Sequence, residues 1–346
     1  MKALYFKQHG GSEHLEYGEV AVPNLREGWA RIRVLAVALN HLDIWIRRGW
    51  PGLSLPLPHI TGADICGELV ATSGDASSIS IGERVVVYPG IVGAEDEFVR
   101  RGEPSVSPDY QVLGEHVWGG LAEFVDVPLA NLRVARSDLS VEDSAAPNLV
   151  VTTAWRMLFT RGQLESGESL LVVGSGGGVN VASMLIGKAI GARVIVLAGG
   201  AEKSNRVRTL GFTEVVDYLE VPDWHREIMK HTGGRGVDVV VDNVGRETFA
   251  KSLKSLRRGG RLLTVGNTSG YNVEIDNRLV FGKQLSIVGS TMGSIEDWEA
   301  GLNLIAKHKI TLPIDRVYSL SEGKIALERL EQGRQFGKII LKPDSN

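Results

Sequence analysis

The chain contains one cysteine, Cys66, in 346 residues. A single thiol excludes an internal disulfide and any zinc site built from several cysteines. It suits a reducing, cytoplasmic setting. No run of about 18 uncharged apolar residues occurs, so no membrane-spanning helix is expected. The charges in Met1-Lys-Ala-Leu-Tyr-Phe-Lys7 fall too close together for the apolar segment of a signal peptide. Neither sign of charge is in excess: 38 Lys and Arg face 41 Asp and Glu, for a net charge of −3. That leaves no basic face for nucleic acid and no acidic tail. Internal repeats and low-complexity tracts are also missing. Glycine is abundant, with 42 residues or about 12% of the chain against ~7% in ordinary proteins. The backbone must turn tightly, or be approached closely, at many places. At roughly 100–200 residues per domain, the length points to two domains.

The first ~130 residues read as β-rich. Ala30-Arg-Ile-Arg-Val-Leu-Ala36 alternates, and Asp64–Ala71 and Glu83–Tyr88 are short apolar runs bounded by turn residues. A small barrel or folded sheet fits them. Near residue 140 the pattern changes. Ser140-Val-Glu-Asp143 is a helix start in capping-box style. From residue 169 apolar runs alternate with helical stretches: Ser169–Gly174, Arg193–Leu197, Glu214–Val216, Val237–Asp242, Arg261–Val265 and Leu285–Val288. Continuous Val/Ile/Leu runs joined by helices predict a parallel, doubly wound α/β sheet. A helix over Glu322–Gln332 and a last strand over Phe336–Leu341 close the chain.

After the first of these runs comes Gly174-Ser-Gly-Gly-Gly-Val-Asn180, then an apolar helix, Val181–Ile190. Strand, glycine-rich turn and helix are what a dinucleotide pyrophosphate needs: glycine lets backbone approach the phosphates, and the helix N-terminus faces their charge. Gly174 and Gly176 fit G-x-G-x-x-G, but Val179 stands at the third glycine. Read as small-x-x-Gly-x-x-small, the loop fits through Gly174, Gly177 and Asn180, with Gly178 between. The bare alternative is a tight strand–helix turn. An NAD site usually carries an acid at the end of the second strand. Here that end is Leu197-Ala-Gly-Gly-Ala201, followed by Lys203, Arg206 and Arg208. Missing carboxylate and nearby cations favour NADP(H) over NAD(H), unless the cations merely solvate a helix face.

With these residues in place the chain resembles the medium-chain dehydrogenase/reductases, on their quinone-oxidoreductase-like side. The likeness runs through Ala38-Leu-Asn-His-Leu-Asp-Ile-Trp-Ile-Arg-Arg-Gly49, Leu57–Gly67, Leu113–Phe124, Thr153-Ala-Trp-Arg156, the glycine loop, Val241-Asp-Asn-Val-Gly245 and Phe336-Gly-Lys-Ile-Ile-Leu341. It covers nearly the whole chain. The resemblance implies a GroES-like catalytic domain, 1–140 completed by 314–346, and a Rossmann NADP(H)-binding domain, 141–313, with the active site in the cleft between them. It also implies cofactor contacts at Thr153, Gly199, Tyr218, Asn243, Val244, Gly266, Asn267 and Thr268, although Asn243 and Thr268 also read as plain strand-end turn residues.

Many members of that family hold zinc. At the positions that the resemblance gives to their structural zinc stand Gly93, Asp96, Val99 and Ser107, of which only Asp96 is a metal ligand. At the catalytic zinc positions stand Asn40, Ala63 and Leu149, with Asp64 where the family has a neighbouring Glu. No tetrahedral N/S site follows from an amide, a methyl and an isobutyl group. His41 and His59 are the nearest substitutes, and neither sits at a ligand position. Cys66 reads as a small buried hydrophobe rather than a nucleophile. A zinc-free member is expected.

Without a Lewis acid an alcohol is hard to oxidise. The relatives' hydroxyl relay position is Leu42 here. Reduction of a quinone or an activated C=C by hydride needs only donors for the developing oxyanion. Asn40 is the first candidate donor. Asp43 either orients backbone near Asn40 or transfers a proton, and Asp64 either holds Asn40 or holds a water. Trp45, Trp50 and Trp118 either shape an apolar pocket or fill the barrel edge. The expectation is an NADPH-dependent reductase of a small-molecule quinone, enone or enal. The alternatives are an alcohol dehydrogenase and a non-catalytic NADPH-binding protein. The Leu285–Ser290 run, an apolar sheet edge, predicts a homodimer or tetramer unless the following helix covers it.

Overall fold

The computed structural model describes residues 1–74 and 79–344. The chain divides into two compact units, Met1–Leu149 with Thr311–Asn346, and Val150–Ile310. The division falls at 149/150 rather than at 140, and at 310/311 rather than 313/314. Helix Val141–Ala145 packs on strands Trp29–Ala38 and Asp64–Ser73 of the first unit. Its start is capped as the sequence predicts, with Ser140 Oγ accepting from Asp143 N at 2.9 Å.

The first unit is built on a seven-stranded sheet. Its order is Ile314–Ser319, Lys338–Lys342, Trp29–Ala38, Asp64–Ser73, Arg84–Val87 and Leu132–Val134, with Phe124–Pro128 also paired to Trp29–Ala38. Alternation in the long strand puts Ala30, Ile32 and Val34 into the core, and both faces become buried at its far end, Ala36–Ala38. That end is where strands from the early and late parts of the sequence meet. Ala38 lies opposite Asp64 on one side and Ile340 on the other. Leu39 N donates to Ile339 O at 2.9 Å. A C-terminal strand is thereby fixed beside residue 40.

The second unit carries a six-stranded, all-parallel sheet in the order Val215–Asp217, Arg193–Ala198, Ser169–Val173, Val237–Asp242, Leu256–Thr264 and Ser286–Gly289. Every residue of Ser169–Val173 and of Val237–Asp242 is buried. Strands covered on both faces have no polar side to present, which is why these runs are continuously apolar. The order reverses at Ser169–Val173, where ligands bind in such sheets. The helix after the glycine loop starts at Gly178, inside the glycine run, rather than at Val181. No helix among the described residues is long and apolar enough to cross a membrane.

Candidate active site

Asn40, Asp43 and Asp64 come together in the first unit, joined by a residue that the sequence reading did not single out, Lys338. Strand pairing sets this up, because Ala38 holds the strands of Asp64 and Lys338 on either side. Asn40 Nδ2 donates to Asp64 Oδ2 at 2.8 Å and makes a long 3.4 Å contact with Ala38 O. Lys338 Nζ donates to Asn40 Oδ1 at 2.7 Å and to Asp64 Oδ2 at 2.8 Å. The other Asp64 oxygen accepts from Leu149 N. Asp64 is 0% and Lys338 2% exposed, so the ion pair lies out of water. Lysine is almost never buried unless paired.

Asp43 sits in the first turn of helix His41–Arg48. Its Oδ2 accepts from Asn40 N at 2.7 Å and its Oδ1 from Gly62 N at 2.9 Å. It therefore orders the backbone on both sides of the cluster. Burial pushes its carboxyl up to about 6, against the lowering effect of those two N–H groups, the Lys338 charge and the Thr61 hydroxyl. Burial, and then the Lys338 ammonium, lowers the pKa of His41, so its imidazole is neutral at pH 7. Burial lifts the Cys66 thiol to about 11, which leaves it protonated and inert.

The cluster does not fit zinc. Asn40 and Asp64 are engaged by an ammonium ion, and Ala63 and Leu149 offer only carbon. Among the described residues no three His, Cys, Asp or Glu side chains gather as a metal set. In the loop given to structural zinc, Asp96 Oδ1 instead caps helix Glu97–Arg100, accepting from Phe98 N and Val99 N at 2.8 Å. Ser107 Oγ accepts from Asp109 N at 3.1 Å. At Gly93 a Cβ would lie 2.7 Å from the Asp109 backbone. Hydrogen bonds shape this loop. His59 spends Nε2 on Gly114 O at 3.0 Å, and the Trp118 indole N–H is taken by Pro58 O at 2.9 Å.

The glycine loop of the second unit fits a dinucleotide. Gly174 has φ +90°, a backbone state suited to glycine, and a Cβ at Gly177 would meet open space. The Ser175 hydroxyl is buried with no partner among the described residues. Helix Gly178–Ala189 has neither a side-chain cap nor an acid in its first turn, so its leading N–H groups are available to an anion. Asn180 locks the loop shut behind them: its Nδ2 donates to Val173 O at 2.8 Å and Gly174 O at 3.0 Å. Its Oδ1 accepts from Asn243 Nδ2 at 2.8 Å, and Asn243 Oδ1 accepts from Val265 N at 2.9 Å. Behind Asn243, Ser269 N donates to Val244 O at 2.8 Å and Thr268 N to Asn243 O at 3.3 Å. A Cβ at Gly266 would crowd Asn243 O at 3.1 Å, and Gly270 N bonds Asn267 O at 2.8 Å. Thr153 is buried on helix Asn148–Trp155, its hydroxyl 4.0 Å from Met292 Sδ.

At the end of Arg193–Ala198 stands an acid that sequence reasoning missed. Asp217 ends the neighbouring strand, in register with Ala198. Its Oδ1 accepts from Gly200 N at 2.9 Å and Leu219 N at 3.0 Å. The signal lay in the third strand and its register, not in the second strand. Gly199 leaves room for Tyr218, whose hydroxyl a Cβ there would approach to 2.3 Å. Lys203 and Arg206 lie on the helix that begins at Gly200, both half-buried.

Residues 26–136 match the family described as Alcohol dehydrogenase GroES-like domain, and residues 178–307 that described as Zinc-binding dehydrogenase. The chain is 31% identical to a crotonyl-CoA reductase of Streptomyces avermitilis, over 96% of this chain and 83% of that protein. It is 30% identical to a quinone oxidoreductase of Pongo abelii, over 85% of this chain and 81% of the relative. A solved structure titled as an NAD-dependent alcohol dehydrogenase superposes with a TM-score of 0.94 at 38% identity, over 99% of this chain and 100% of that one.

Proposed function

Because this chain belongs to the medium-chain dehydrogenase/reductase superfamily of NAD(P)H-using oxidoreductases, we propose that it reduces a quinone or an activated C=C, in an enone, enal or thioester, without zinc. The observation that carries this reading is the Asn40–Asp64–Lys338 cluster, which offers an amide and a buried ammonium where a metal set would need thiolate and imidazole. A bound nicotinamide supplies the hydride. Hydride addition to an electrophilic carbon leaves charge on the substrate oxygen. Asn40 meets it with an N–H whose only other contact among the described residues is the long one to Ala38 O. Asp43 keeps the Asn40 backbone and the Gly62 turn in place. Lys203 and Arg206 favour the 2′-phosphate of NADP(H).

A second reading, NAD-dependent alcohol oxidation, is favoured by the 38% identical structure and by Asp217 beside Gly200. It lacks a group that would lower an alcohol's pKa. We also infer a cytoplasmic homodimer, from the single cysteine and from the exposed Ser286–Gly289 edge. Steady-state assays with 1,2-naphthoquinone, trans-2-alkenals and crotonyl-CoA, each with NADPH and NADH, test the function. Zinc analysis of the same sample accompanies them. Reduction of at least one acceptor by protein free of stoichiometric zinc is expected. Alcohol oxidation alone, with about one zinc per chain, would overturn the reading, and inertness throughout would leave a binding protein.

A further inference from the structure

We propose that Lys338 positions Asn40 for this reduction, a role that rests on the reductase reading above. Its ammonium is a donor only, and ionised Asp64 is an acceptor only. Bonded to each other at 2.8 Å and each to one end of the Asn40 amide, they allow one orientation: Oδ1 toward Lys338 at 2.7 Å, Nδ2 toward Asp64 at 2.8 Å. One Nδ2 hydrogen is then committed to Asp64. Among the described residues the other has only the 3.4 Å contact with Ala38 O, and it is the hydrogen that a substrate oxyanion would take.

The ammonium does two further things. Bonded at Oδ1, it draws electron density through the amide and strengthens the remaining N–H as a donor. Bonded at 2.8 Å to Asp64, it offsets a carboxylate that would otherwise repel the developing charge. In the step itself the acceptor carbon takes a hydride from a reduced nicotinamide. One C–H bond breaks on the cofactor and one forms on the substrate. The π pair moves to the substrate oxygen, the cofactor is left oxidised, and a proton from water neutralises the oxyanion. Lys338 gives up no proton in this scheme. Its effect passes through Asn40.

Lys338→Met alone strands the Asp64 charge and is expected to destabilise the fold. The informative variant is therefore Lys338→Met with Asp64→Asn, which removes both charges and keeps an acceptor for Asn40 Nδ2. Lys338→Gln with Asp64→Asn, which retains a donor near Asn40 Oδ1, serves if the first pair does not fold. Melting temperature, NADPH Kd, kcat and the primary isotope effect with 4-deuterated NADPH are measured on parent and variant. The paired variant is expected to lose some melting temperature, because one amide oxygen cannot serve both Asn40 Nδ2 and Leu149 N. It is expected to keep its NADPH Kd, lose at least tenfold in kcat per folded molecule and show a larger isotope effect as hydride transfer becomes limiting. A merely structural pair would restore stability and kcat together. A parent active on the acceptor panel whose paired variant matches it in kcat and isotope effect overturns the role of Lys338 alone. A parent inactive on the whole panel overturns the reductase reading and this role with it.

Discussion

Asn180 and Asn243, 63 residues apart, share a 2.8 Å side-chain hydrogen bond that ties the helix after the glycine loop to the end of the fourth parallel strand. Asn243 also accepts from Val265 N, so one side chain fastens three strand ends around the loop. Asn243→Ala would leave Val265 N and Asn180 Oδ1 without partners. A cost of ~1–3 kcal/mol is expected, the scale of buried groups left unsatisfied. Loosening the loop should weaken NADPH and NADH alike. Denaturant melts and fluorescence titrations check both effects, and parental stability with parental affinity would deny Asn243 this function.

Lys203 and Asp217 stand for opposite cofactor preferences on the same stretch of chain. Lys203→Ala is expected to weaken NADPH by ~1–3 kcal/mol and leave NADH nearly unchanged, as for a lost charge-assisted bond to phosphate. If Asp217 instead reads a ribose hydroxyl, Asp217→Asn should weaken NADH selectively. Its bonds to Gly200 N and Leu219 N make the alternative a uniform loss for both cofactors. Titrating the two variants with both nucleotides separates these outcomes.

The parallel sheet was legible because burial on both faces writes itself into the sequence as unbroken Val/Ile/Leu runs, as in Val237–Asp242. The glycine loop was legible because φ +90° at Gly174 requires a residue type that is easily seen. Lys338 was not. In Phe336-Gly-Lys-Ile-Ile-Leu341 a lysine reads as the solvent end of a strand, and its partners lie 298 and 274 residues away. Nothing local marks a lysine as buried. Asp217 escaped for a related reason, since its place beside Gly200 depends on strand register rather than on its own motif. Residues 141–149 read with the parallel-sheet unit in sequence but cluster with the other one, because a helix start is a local signal, whereas what the helix packs against is not.

Asp43 should make stability depend on pH in an unusual direction. Its carboxyl is raised from 3.8 to about 6, chiefly by burial. Between about pH 4 and pH 6 the folded chain thus holds a proton that the unfolded chain has released. The contribution of this group is full below pH 4 and declines as pH rises through 6, by about 3 kcal/mol at 1.36 kcal/mol per unit. Asp43→Asn removes the ionisation. The variant is expected to be less stable, because an amide N–H₂ then faces one of the two backbone donors, yet its stability should lack that decline. Urea melts at pH 4, 5, 6 and 7 on both proteins would show it, and parallel pH curves would contradict it.

The last strand of the parallel sheet leaves one backbone edge open. Among the described residues Ser286–Gly289 pairs only with Leu256–Thr264. Helix Ile295–Lys307 does not bury it, since Ser286, Ile287 and Gly289 are exposed. Close by in sequence, Phe281 is 67% and Tyr271 80% exposed. An open edge invites a second strand, and a second copy offering the same edge satisfies both at once across a two-fold axis. Light scattering at micromolar concentration is expected to return a multiple of the 37.5 kDa chain mass, with a dimer as the smallest particle. Ile287→Lys should dissociate it, because a charge on the edge resists pairing while the exposed position tolerates the side chain within the fold. A 37.5 kDa particle from the unaltered protein would refute the dimer. A lysine variant that stays dimeric would place the interface elsewhere on the surface.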